Sequence, residues 1–97
     1  MALLDDWKAW RERPFPSGVS TFDTGEIDMV SLDTFAAGCL DTYFECGRLD
    51  DQRIGVLEEC VRDLHQALPR LSGEPSEYFA ELAAFCRRVL AALGRTN

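Results

Sequence analysis

Lysine and histidine are almost missing from this chain. Lys8 is its one lysine and His65 its one histidine; the other nine of its ten basic residues are arginine. A lone histidine excludes paired-histidine metal motifs, and Arg62 stands where the EXXH pattern of di-iron bundles needs a glutamate. Neither a Ser nor a Cys lies at triad-like spacing to it, which removes the usual nucleophile–base pairing. Cysteine is present four times, at 39, 46, 60 and 86, but without a CxxC. No Gly-rich phosphate loop occurs. Adjacent carboxylates such as Glu58-Glu59 point in different directions on a helix. These absences leave no catalytic constellation, so neither an enzymatic activity nor a cofactor is expected.

Long apolar runs are absent too. None approaches the roughly 20 residues that span a bilayer. The first ten residues, MALLDDWKAW, carry Asp5 and Asp6 and no basic n-region, unlike a secretory leader. The expected compartment is the cytoplasm, where thiols stay reduced. The preference for arginine over lysine, with much Ala, Leu and Gly, suggests a GC-rich bacterial genome.

Base is scarce in one stretch above all. The net charge of −7 lies entirely in residues 14–52, where eight acids face Arg48 alone. The flanking segments are each neutral. Such a field repels nucleic acid and anionic lipid and attracts a basic partner. The plainer reading of the same stretch is a solvated acidic face that helps solubility.

What is present reads as helix. With 97 residues, 46% of them apolar, the expected unit is a single helical domain spanning 1–97. Leu3, Trp7 and Trp10 recur at helical steps, giving a short helix within 1–13 that Pro14 and Pro16 end. Residues 14–27 have no helical period and form a loop. The stretch Leu32–Cys46 organises the rest. Leu32, Phe35, Cys39, Tyr43 and Cys46 share one face, and Leu40, Phe44 and Ala37 extend it. Only a strip of Thr34, Asp41 and Glu45, bordered by Gly38, is left for water. A helix that apolar must be covered on several sides. Its helix spans 28–46, with Asp28 or Ser31 as N-cap and Gly47 as a left-handed C-terminal cap. Asp50 then caps a helix over 51–68, which makes residues 46–50 a tight αα-hairpin turn. The last helix spans 74–93. The predicted fold is all-α: an up-down-up three-helix bundle with the N-terminal helix packed on it as a fourth element.

Cys39, Cys60 and Cys86 are expected in one inward-facing layer. They are the weak candidates for a metal or thiol-redox site, against a plainer role as small apolar core residues. His65, at the edge of its helix's stripe, reads as a structural histidine. Trp7, Trp10, Phe15 and Phe22 either cover the Leu40/Phe44 flank or leave it open to a partner. Arg53 either snorkels to Asp50 or belongs to a recognition surface.

Three functions compete. The first is a protein-binding module of inhibitor, immunity, antitoxin or adaptor type, occluding a basic partner. Its candidate contacts are Asp23, Glu26, Asp28, Asp41 and Glu45, with Trp7, Trp10 and Arg53. The second is a homodimeric structural or accessory subunit that buries excess apolar surface on the central and last helices. The third is the thiol-redox or metal protein.

Overall fold

The computed structural model describes residues 2–16 and 27–94. Among them lie helices α1 (Ala2–Arg11), α2 (Met29–Cys46), α3 (Asp51–Ala67) and α4 (Gly73–Ala92), the last two joined through a 3-10 turn at Leu68–Arg70. The three long helices pack against one another pairwise as an all-α bundle. Phe22 and most of the predicted loop lie outside the described residues.

Local chemistry explains the helix ends. Asp28 is extended, and its Oδ1 accepts from the N–H groups of Val30 (3.1 Å) and Ser31 (3.3 Å). That is the N-cap expected at the earlier of the two predicted starts. At the other end Gly47 takes φ 78°, and its N–H donates to the Tyr43 carbonyl at 2.7 Å. Three residues later the Asp50 carboxylate accepts from the Arg53 N–H at 2.8 Å and caps α3. The predicted hairpin turn is therefore present. Pro69 does not stand immediately after α3 but inside the 3-10 turn, where its missing N–H costs nothing.

Gly47 and Gly38 respond oppositely to one substitution. Gly47→Ala forces a Cβ into the left-handed region and is expected to cost about 1 kcal/mol. Gly38 is helical and exposed, and an added Cβ would meet nothing within 4 Å. Gly38→Ala is expected to gain about 1 kcal/mol through helix propensity. Chemical denaturation of the two variants beside the parent checks both signs.

The core is centred on Leu40, Leu57, Leu64, Phe79, Leu82, Val89 and Leu90, all essentially without solvent contact. Tyr78 and Phe85 widen the apolar arc of α4, and α1 covers that arc. Trp7 stacks on Trp10 (centroids 5.2 Å) and Phe44 (5.9 Å) and meets Phe85 edge-on (5.1 Å). Trp10 lies 4.6 Å from Tyr78. The Trp7 indole N–H donates to Asp41 Oδ1 at 2.8 Å. Arg11 forks onto the same carboxylate, with Nε to Oδ1 at 3.3 Å and Nη2 to Oδ2 at 3.0 Å. So α1 lies over the seam between α2 and α4, held by an aromatic stack and one shared acid. Phe15 follows, with its edge on Tyr78 and Phe79.

One element of the predicted core is corrected. Phe35 is 60% exposed, and Cys46 is exposed too. The buried arc of α2 runs through Met29, Leu32, Ala36, Cys39 and Leu40 and reaches Ala37. It is therefore turned away from the Phe35–Cys46 line. The cause is α1, which occupies the Ala37/Phe44 flank and makes that side interior. The opposite edge, which bears Phe35, is left to solvent.

Candidate partner-binding groove

Phe35 stands on the wall of a groove between α2 and α3. Ile27, Asp28, Ser31, Leu32 and Phe35 form one side; Val56, Glu59, Cys60, Asp63 and Gln66 form the other. The space is about 470 Å³. Val56, Glu59, Asp63 and Gln66 recur at 3-4-3 spacing, which lines them up along one edge of α3. Leu57, Leu64 and Val61 meanwhile point inward.

The groove carries charge of one sign. Asp28, Glu59 and Asp63 line it, and no basic residue does. Hydrogen bonds from the Ser31 N–H, the Ser31 hydroxyl and the Val30 N–H hold the Asp28 carboxyl below its usual value, so it stays ionised at neutral pH. Among the described residues, the ion pairs are Arg11–Asp41, Arg13–Glu81 and Arg53–Asp50. None involves Glu59 or Asp63. The result is a groove with buried Leu32 and Cys60 in its lining, three acids and no basic residue.

Two other clefts differ in this respect. The one between α1 and α4, about 500 Å³, has Asp6 and Glu81 facing Arg13 and Arg88. The one between α1 and α2, about 640 Å³, sets Lys8 and Arg11 against Glu12, Asp41 and Glu45. The first is balanced and in the second two bases face three acids, so each carries less net charge than the groove between α2 and α3.

The predicted contact residues do not form one surface. Trp7 and Trp10 are 2% and 5% exposed and serve as the clamp of α1. Asp41 is engaged by that clamp, and exposed Glu45 lies beside it in the α1–α2 cleft. Arg53 pairs with Asp50 at 2.7 Å, the snorkelling alternative. Asp23 and Glu26 lie outside the described residues. Asp28 alone of the set lines the acidic groove. Phe35, Val56, Glu59 and Asp63 were missed. Counting charge by segment hid the two acids, because residues 53–97 are neutral as a whole. A wheel of α3 alone would have shown them on one edge, with Arg62 at its border three residues from Glu59.

The cysteine layer is interior. Cys39, Cys60 and Cys86 are all buried, and Cys46 is exposed. Burial, then repulsion from the Cys39 thiolate, pushes the Cys60 thiol up to about 12. Burial also raises Cys39 and Cys86. The Cys39 S–H donates to the Arg53 carbonyl at 3.7 Å. Thiols so raised stay protonated at neutral pH and are poor nucleophiles. Among the described residues, no group of three or more His, Cys, Asp or Glu side chains is placed to hold a metal ion. His65 accepts a hydrogen bond from Arg87 Nη1 at 3.0 Å, since a guanidinium can only donate.

One buried titratable pair was not foreseen. The Tyr78 hydroxyl donates to Asp33 Oδ1 at 2.8 Å and ties α4 to α2. Burial raises the Asp33 carboxyl above its usual range, partly offset by the tyrosine hydrogen bond and Arg11. Burial also pushes the Tyr78 phenol upward, and the Asp33 hydrogen bond adds to it. Asp33→Asn keeps an acceptor and removes a half-buried charge. Solvent screens that charge, so the gain at neutral pH is expected to be at most about 1 kcal/mol. A carboxyl with a raised folded pKa stabilises the fold most when protonated. The parent therefore loses ground to Asp33→Asn as pH rises through the folded pKa, and the gap closes below the ordinary 3.8. Unfolding curves of both proteins across the acidic range test this.

Comparison of the chain with protein-family models, with curated proteins and with solved structures finds no match.

Proposed function

We propose that this chain is a non-catalytic protein-binding module that occludes a basic surface of a partner, in the manner of an inhibitor, immunity, antitoxin or adaptor protein. The observation that carries this reading is the α2–α3 groove: a large exposed aromatic, Phe35, on the wall of a mixed polar and apolar trough that carries Asp28, Glu59 and Asp63 and no basic residue. An exposed aromatic beside uncompensated acid suits a partner that brings an apolar anchor flanked by arginine or lysine. The mechanism is steric cover with electrostatic steering of the encounter. The homodimer reading keeps a smaller motive: α1 covers the Phe44 side of α2 and the Tyr78/Phe85 arc of α4, while Val30 and Phe35 on α2 stay exposed. Four unpaired cysteines suit a reducing compartment such as the cytoplasm. Among the described residues, no helix is long and apolar enough to cross a membrane.

A photo-crosslinking residue placed at position 35 would trap the partner for identification. Association kinetics then test the reading at low and high salt. Glu59→Gln with Asp63→Asn is expected to slow association several-fold and flatten its salt dependence, since steering falls with both charge and ionic strength. Identical rates and salt slopes for parent and variant would overturn the proposal.

A further inference from the structure

We infer that α1 is a releasable strap: it leaves the bundle as one unit, ahead of global unfolding, and bares an aromatic strip between α2 and α4. This stands independently of the partner-binding reading. The bundle closes its core without α1. Among the described residues, the largest fully buried side chains, Phe79, Leu40, Leu57, Leu64, Leu82 and Leu90, all belong to α2, α3 and α4. The Tyr78–Asp33 hydrogen bond joins α4 to α2 without it. Three helices of this length fall in the range that folds alone, roughly 55–65 residues and above.

The polar ties of α1 are few and exposed. Among the described residues they run from Trp7 and Arg11 to Asp41, and from Arg13, just beyond the helix, to Glu81. The four charged side chains are each more than a third exposed, so solvent and salt screen both ion pairs. Docking also carries a penalty. Trp10 Nε1 is buried with no hydrogen-bond partner among the described residues. Water would satisfy it in the released state, which offsets part of the gain from aromatic stacking.

Release is cooperative because α1 has only ten residues. A helix that short does not persist away from its seat, so undocking and melting come together. Such coupled segments open as one unit rather than fraying residue by residue. Pro14 and Pro16 interrupt the helical ladder after α1, which keeps the change from spreading along the backbone. Release bares Phe44, Tyr78 and Phe85, on which the two indoles now lie, and leaves Asp41 without Arg11. The strap thus hides an aromatic surface with an acid beside it, and its equilibrium sets how often that surface is open.

The full chain carries its own reporter, since its two tryptophans, Trp7 and Trp10, both lie in α1. In urea, tryptophan emission is expected to change at a lower midpoint than the main far-ultraviolet circular dichroism transition, which follows the three long helices. Native-state amide exchange then reads each segment. Residues 7–11 should open at least about tenfold more often than Leu57, Leu64, Leu82 and Val89, with a shared urea slope above zero and below that of the core. Asp41→Asn keeps an acceptor for the Trp7 indole and removes the charge under Arg11. It is expected to raise α1 opening about threefold and lower the emission midpoint, while the main dichroism midpoint stays in place. Coincident midpoints in the parent, shifting together in Asp41→Asn, would overturn the inference. So would exchange in 7–11 that is independent of urea, which is the mark of fraying.

Discussion

Trp7→Ala is expected to destabilise the chain by about 3–5 kcal/mol, the range for removing a buried large aromatic. Against a domain stability of roughly 5–15 kcal/mol, that is a large fraction of the whole. Trp7 is 2% exposed, stacked on Trp10 and Phe44, edge-on to Phe85 and hydrogen-bonded to Asp41. A ten-residue helix cannot persist in water without docking. Losing its central anchor should therefore free all of α1, not only the indole. Helical circular dichroism should fall by about α1's share, and amide exchange in 3–11 should rise. The Leu40/Phe44 flank would then meet water. Two milder variants separate the contributions. Trp7→Phe keeps an aromatic but removes the Asp41 hydrogen bond, and is expected to cost about 1–2 kcal/mol. Trp10→Phe should cost less, because the Trp10 indole N–H is buried with no hydrogen-bond partner among the described residues. Equal losses in the two phenylalanine variants would contradict this account of the clamp.

Phe79→Ala is expected to match that loss, at about 3–5 kcal/mol. Among the described residues, Phe79 is the largest side chain fully withdrawn from solvent. Its ring sits edge-on to Tyr78 at 4.9 Å and to Phe15 at 5.7 Å, so it joins α4 to the Pro14–Pro16 segment. Truncation opens a cavity among helices that pack pairwise and cannot close it without shifting an axis. Phe79→Leu retains most of the volume and should cost less than about 1.5 kcal/mol. Denaturant midpoints with an unchanged slope would show that the losses are native-state packing. A small loss in Phe79→Ala would mean that the core relaxes around the site.

Helix boundaries were legible in the sequence because their causes are local. Asp28, Gly47 and Asp50 act within a turn of where they stand, and each does what its residue type predicts. The inward placement of Cys39, Cys60 and Cys86 was legible too, since all three follow their helices' apolar periods. The acidic groove was only half legible. Asp28 was named for the charge of its segment, and Glu59 and Asp63 were lost in a segment whose acids and arginines sum to zero.

Burial around α2 shows where reading along the chain ends. Its residues are apolar over so much of the girth that composition cannot say which part faces water. Leu32, Phe35 and Ala36 are equally plausible interior positions on a wheel. The sequence by itself determined four helical segments, the caps at Asp28, Gly47 and Asp50, and a central helix apolar enough to need cover on more than one side. Only the tertiary structure decided that α1 would cover the Ala37/Phe44 side and leave Phe35 bare. That choice rests on Trp7 reaching Asp41 across 34 residues. A contact between distant segments depends on how whole helices are placed, which no local pattern contains.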